Sequence, residues 1–439
     1  MMFVMLRPQI EVTPSTALID VPVHITLSGF APHQLITLHA TLTDGMPGGE
    51  MSASSHAIFQ SDEDGNVDLV SQAPLFGTYE GIDPMGLFWS MHVQSQRFYS
   101  PHSLDTFEFA PRSTEIHLSA EVHGKVIAKA NVTRIFVSPE VSIEKIRENG
   151  LVGLYFYDPH AKPRPAVLVL GGSEGGIGSS SQFAALFASH GYPALALAYF
   201  QCDDLPDDIR QIPLEYIQNA IQWLKTQPQV HPEKIAVFGR SKGAELSLVM
   251  GSFDPVIRAV IASSPSSTVC IGCDTESADS DIFSPQSSWS FRGEPLPFVP
   301  WTETQSREAN ERLQTKERID HLHKEAWKNC EWMEDASIPV ERIQGPILLL
   351  SSDDDHWWPS AEHCEQMVKR LRENSFPHEV VHLRYENTGH MIRFPYIPTT
   401  RTQLNGGTAK NNAYACEHSW REVLLFLERA FPKASGTTG

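Results

Sequence analysis

Five continuous apolar runs do most to limit what this chain can become. They are "AVLVLGG" from Ala166, "ALALAYF" from Ala194, "KIAVFG" from Lys234, "IRAVIASS" from Ile257 and "PILLLSS" from Pro346. A strand with one wet face alternates apolar and polar residues; a run without alternation is expected to be covered on both faces. Between the runs lie "SQFAALFASHG", "LEYIQNAIQWLKT", "AELSLVMGSF" and "EHCEQMVKRLREN", each compatible with a helix, and "EHSWREVLLFLERAF" closes the series. Strands and helices in that order predict a doubly wound, mostly parallel sheet.

The first part of the chain has a different rhythm. "VPVHITLSGF" and "LITLHATLTDG" alternate apolar and polar residues, and "EIHLSAEVHGKVIAKANV" reads as a hairpin turning at His123-Gly124. Residues 1–138 are therefore expected to form a small N-terminal β-sandwich. Residues 139–439 would be the α/β domain. About 75 residues separate "ASSPSS" from "PILLL", more than a sheet connection needs. This insertion, about 268–340, is read as a cap.

With 34 Lys+Arg against 53 Asp+Glu the net charge is −19, which argues against nucleic acid and anionic lipid as partners. The opening "MMFVMLRPQIEV" is too short in its apolar run for a signal peptide, and the tail "KASGTTG" carries no peroxisomal or retention signal. No apolar stretch approaches membrane-spanning length. A cytoplasmic protein without membrane insertion is expected. Six cysteines are too sparse for a disulfide framework. Cys270 and Cys273 have no second pair at zinc spacing and are read as isolated thiols.

"GRSKG", residues 239–243, places Ser241 in a G-x-S-x-G pattern after an apolar strand and before a helix-compatible run. That setting suits a nucleophile elbow, the sharp turn of an α/β hydrolase. The alternative is a serine that merely caps a helix. A serine nucleophile needs a base and a group to orient that base, in the chain order Ser, acid, His. "LLLSSDDDHWWP" supplies acids directly beyond one strand, and "VVHLRYENTGHMI" supplies His390 beyond the next. An oxyanion hole would draw backbone N–H groups from Lys242 and from the glycine-rich "VLVLGGSEGGIG", at Ser173 with Glu174 next. The phosphate-loop and dinucleotide patterns are absent.

"GTYEGIDPMGLFWSM", "HGYPALALAYF", "GRSKGAEL", "FRGEPLP", "DDDHWW" and "ENTGHMIRFPYIP" together resemble segments of the acyl-CoA thioester hydrolase and bile acid-CoA:amino acid N-acyltransferase family. The resemblance runs nearly end to end. It implies an α/β hydrolase fold behind the sandwich, with Ser241 as nucleophile, Asp355 (directly before His356) as acid and His390 as base. A generic hydrolase reading would choose Asp354 instead. The implied substrate is acyl-CoA and no cofactor or metal is called for. Transferase members of the family typically carry cysteine where this chain has Ser241, so hydrolysis is the expected outcome. An amino-acid N-acyltransferase, a carboxylesterase using the same triad, and a catalytically silent binding protein are the alternatives. Arg240, Arg292 and Arg393 are candidate partners for the CoA phosphates by proximity to these motifs.

Overall fold

All five apolar runs become strands of one eight-stranded sheet in the computed structural model, which describes residues 7–432 apart from 44, 46, 48, 99–102, 110–111, 274–282 and 329–332. The stretches "MMFVML" and "KASGTTG", and parts of the 268–340 insertion, lie outside the described residues. The strands are β1 (Ser142–Ile146), β2 (Val152–Tyr157), β3 (Arg164–Leu170), β4 (Ala194–Ala198), β5 (Val230–Arg240), β6 (Ile257–Ser263), β7 (Ile347–Ser352) and β8 (Val380–Tyr385). Their spatial order is β1-β2-β4-β3-β5-β6-β7-β8. β1, β2 and β4 pair antiparallel, and every pairing from β4 through β3 to β8 is parallel. This is an α/β hydrolase sheet. The two strands at its antiparallel end, β1 and β2, were not apparent as strands from sequence.

Helices cover both faces, as continuous apolar strands require. α1 (Gly178–Ser189), α2 (Leu214–Lys225), α3 (Lys242–Phe253), α6 (Ser360–Glu373) and α7 (Ala409–Ala430) are the covering set. α4 (Glu303–Gln314) and α5 (Asp320–Lys328) belong to the insertion, with short strands at Ile271–Cys273, Phe283–Ser287 and Trp289–Phe291. α2 shows why the segment is a helix: Leu214, Ile217, Ala220, Ile221 and Leu224 are buried along one stripe. α7 begins eight residues before the "EHSW" segment, where Thr408 caps it by accepting from the Asn411 N–H.

The N-terminal part forms a three-stranded and a seven-stranded sheet. Leu35–Leu42 alternates buried and part-exposed residues along its length, the half-wet strand that its sequence predicts. The hairpin of Ser113–Val122 and Lys125–Ile135 turns at His123 (φ 50°) and Gly124 (φ 77°), the left-handed pair that a two-residue hairpin turn favours. These sheets rest on the hydrolase part. Asp20 accepts from Trp420 Nε1 of α7 at 2.7 Å, and the Thr399 N–H donates to Trp89 O at 3.0 Å. Among the described residues, no helix is long and apolar enough to cross a membrane.

Candidate active site

The carboxyl ends of β3, β5, β7 and β8 lie along one edge of the sheet, where ligands of such sheets bind. β5 runs into Ser241, which sits at φ 56°, ψ −121° before the first turn of α3. Glycine is needed on either side for lack of space. A Cβ on Gly239 would meet Gly243 O at 1.9 Å, and one on Gly243 would meet Gly171 O at 2.2 Å. The turn is thus wedged between its own helix and the end of β3. Ser241 stands at the N-cap position, yet its hydroxyl makes no capping bond. Its Oγ lies 2.9 Å from His390 Nε2 instead, so the helix-cap alternative does not describe it.

His390 follows β8 and is 3% exposed. Its Nδ1 is 2.8 and 2.9 Å from the two carboxylate oxygens of Asp355, itself buried at the end of β7. Asp355 Oδ1 also accepts from the N–H groups of Trp357 and Trp358, which hold the carboxylate in place. The rings of both tryptophans pack near the imidazole, at 6.0 and 5.7 Å between centroids. Asp353 and Asp354 turn elsewhere: Asp353 pairs with Arg384, and Asp354 accepts from the Gly407 N–H at 2.8 Å. Of the three consecutive acids, Asp355 alone meets the imidazole. This arrangement can take a proton from a hydroxyl and stabilise the imidazolium that results.

Lys242 is the first residue of α3, and the first N–H groups of a helix have no acceptor within it. The loop "GGSE" passes against the same turn, since a Cβ on Gly172 would lie 3.2 Å from Ser241 Cβ. Ser173 is the next residue along. Tyr199 Oη donates to Gly171 O at 2.7 Å and steadies this loop. Glu174 forms an ion pair with Arg240; desolvation acts to raise the Glu174 carboxyl, but Arg240 and nearby N–H groups bring it below its ordinary value.

The three arginines separate. Arg240 is buried and engaged with Glu174 and Ser179. Arg292 sits in a surface turn at φ 53° with its guanidinium over Phe291. Arg393 donates to Gln182 Oε1 at 2.6 Å and has no ion-pair partner among the described residues. Cys270 and Cys273 are both buried, and neither is part of a disulfide among the described residues.

Sequence reasoning passed over several groups here. The Lys242 side chain is buried and donates to Glu245 Oε2 (2.9 Å) and Ser288 Oγ (2.6 Å). Glu245 Oε1 accepts from Trp289 Nε1 (2.7 Å) and the Cys270 N–H (3.1 Å). Burial by itself would lower the lysine's pKa, but the Glu245 carboxylate reverses this and holds it above the ordinary value. An acid three residues after a lysine, inside an otherwise apolar helix, was the available signal. His323 from α5 packs edge-on against Trp301 and Trp358, and burial pushes its pKa well down.

Residues 212–433 match the family described as BAAT/acyl-CoA thioester hydrolase C-terminal, and residues 20–148 match its N-terminal region. The mouse acyl-coenzyme A amino acid N-acyltransferase 1 is 32% identical over 95% of this chain and 96% of its own. The mouse bile acid-CoA:amino acid N-acyltransferase is 29% identical over 96% and 97%. Human acyl-coenzyme A thioesterase 1 is 27% identical over 95% of each. A solved dienelactone hydrolase-like phosphotriesterase from metagenomic libraries aligns with 66% of this chain and 99% of its own at 17% identity and a TM-score of 0.41. End-to-end matches to both reaction types, together with the two family regions, mean that the chain belongs to the family of acyl-CoA thioester hydrolases and bile acid-CoA:amino acid N-acyltransferases.

Proposed function

We propose that the chain is an acyl-CoA thioesterase working through an acyl-serine. The observation that carries this reading is the hydrogen-bonded series from Ser241 Oγ to His390 Nε2 and from His390 Nδ1 to Asp355. His390 takes the Ser241 proton as Oγ attacks the thioester carbonyl. Asp355 fixes the tautomer and stabilises the imidazolium. The N–H groups of Lys242 and Ser173 stabilise the tetrahedral oxyanion, a donor of this kind being worth roughly 3–4 kcal/mol. Collapse breaks the C–S bond, and the thiolate leaves as CoA with the proton from His390. A water activated by the same imidazole then cleaves the acyl-serine.

Four relatives named as N-acyltransferases, at 29–32% identity, favour a second reading, in which an amino acid replaces water. One experiment decides between the two. The protein is incubated with acyl-CoAs of short, long and branched chains, with and without excess glycine or taurine, and free CoA and acyl products are measured. Free fatty acid, with CoA release indifferent to the amine and lost in Ser241→Ala, is the expected result. Predominant N-acyl amino acid would move the assignment to the transferase. Absence of CoA release and of an acyl-enzyme across the panel would overturn both.

A further inference from the structure

Beyond His390, the histidine loop, the N-terminal sheet and α7 enclose a pocket of about 210 Å³. Met51, Val93, Met391, Ile397, Pro398 and Cys416 supply its apolar wall. Its polar lining holds Arg393 and Arg401 and, among the described residues, no aspartate or glutamate, in a chain whose net charge is −19. Neither arginine forms an ion pair with a described residue. Arg393 Nε is buried without a hydrogen-bond partner among the described residues, so this guanidinium is only partly satisfied by the protein. Burial and the neighbouring Arg240 lower the Arg393 pKa to about 10, which still leaves the guanidinium charged at neutral pH.

The remaining polar groups point to the sign of the missing partner. Gln96 Oε1 is taken by Arg401 Nη1 at 2.8 Å, and Asn405 Oδ1 by Trp357 Nε1 at 3.0 Å. Both side chains therefore have their amide nitrogens left to donate. Asn412 Oδ1 accepts from the Gly389 N–H at 2.8 Å. Two charged donors and two amide donors, without an acid, suit a group rich in acceptor oxygens.

We propose that this pocket is an oxyanion subsite that takes a phosphate group of CoA, with Arg393 and Arg401 as its charged donors. The assignment of CoA as the phosphate's source rests on the thioesterase reading above; the subsite itself does not. It also gives the N-terminal sheet a part in substrate binding, because Met51, Val93 and Gln96 come from it.

Binding is measured by calorimetry on the full chain, which needs no turnover. The ligands are CoA and pantetheine, the latter lacking every phosphate. The wild type should bind CoA at least tenfold more tightly, and Arg401→Ala, an exposed change that leaves the core alone, should reduce that ratio by about tenfold. Arg393→Met should reduce it further. An equal ratio in wild type and Arg401→Ala, with phosphate binding also unchanged by the substitution, overturns the proposal, whether or not the protein hydrolyses acyl-CoA. Inorganic phosphate should displace CoA where acetate at equal ionic strength does not. Displacement by both alike would overturn the phosphate assignment. Phosphate binding that is lost in Arg401→Ala, in a protein without preference for CoA, would keep the subsite and give it to a free phosphate. A protein that binds CoA through the arginines yet releases none from acyl-CoA would sink the thioesterase reading and leave the subsite standing.

Discussion

Lys242 Nζ and Glu245 Oε2 lie 2.9 Å apart with their side chains 5% and 0% exposed, directly behind the turn that carries Ser241. The pair joins α3 to the insertion, because Ser288, Trp289 and Cys270 all bond to it. Removing one partner of a buried ion pair leaves an uncompensated charge, at about 3–5 kcal/mol. Glu245→Gln keeps the shape and an acceptor for Trp289 but leaves the lysine unpaired, so urea denaturation should show a loss of that size. Lys242→Met combined with Glu245→Gln should recover at least half. A double variant no more stable than the single would mean that the charge pairing is not what matters here.

The acid loop offers a second test. Asp355 bonds His390 through both oxygens, whereas Asp354 supports the Gly407 backbone. Asp355→Asn should lower the CoA-release rate by about 10³–10⁴-fold through loss of tautomer control. Asp354→Asn should change it by less than about tenfold, since it touches a loop hydrogen bond and not the imidazole. Reversed effects would place the working acid one residue earlier.

Much of this site could be read from the chain, and the reason is local. Ser241, Asp355 and His390 each follow a strand whose apolar run is visible, and order along the chain then limits the choices. The choice of Asp355 over Asp354 is not local. It depends on how the backbone leaves β7, with Trp357 and Trp358 turning their N–H groups onto one carboxylate; only the family resemblance pointed to it beforehand. Strands β1 and β2 were missed because "SIEKI" alternates weakly and "VGLYFY" carries a glycine, Gly153, at its second position. Glu245 was missed because its partners, Cys270 and Trp289, are 25 and 44 residues away. Arg401 and Gln96, 305 residues apart, could not be brought together by any pattern.

Acid stability follows from His363. It is 3% exposed, accepts from the Ser267 N–H through Nδ1, and packs at a tilt against the Trp327 ring. Burial, with Lys324 adding repulsion, lowers its pKa to about 3. The folded protein therefore keeps this ring neutral while the unfolded chain protonates it below the ordinary value of about 6.5. Stability from this group is complete above pH 6.5 and is lost as pH falls towards 3, at roughly 1.4 kcal/mol per pH unit. His363→Asn retains an acceptor for Ser267 without the titration. Urea midpoints between pH 6 and 4.5 should fall less steeply in this variant; equal slopes would show that His363 does not titrate on unfolding.

Ser241 holds a backbone conformation of φ 56°, ψ −121°, a region that side chains with a Cβ rarely occupy. Residues held so cost on the order of 1–3 kcal/mol. Ser241→Ala and Ser241→Gly both remove the hydroxyl and its bond to His390, so both should abolish acyl transfer. They differ in the Cβ. Alanine keeps the strain, whereas glycine relieves it and costs only about 0.5–1 kcal/mol of extra unfolded-state freedom. The glycine variant should therefore be the more stable of the two by roughly 1 kcal/mol, the reverse of the order at an ordinary helical position. Urea denaturation of the two variants reads this directly. A more stable alanine variant would mean that the turn between β5 and α3 carries no strain at Ser241, and that Gly239 and Gly243 serve only to let the turn fit.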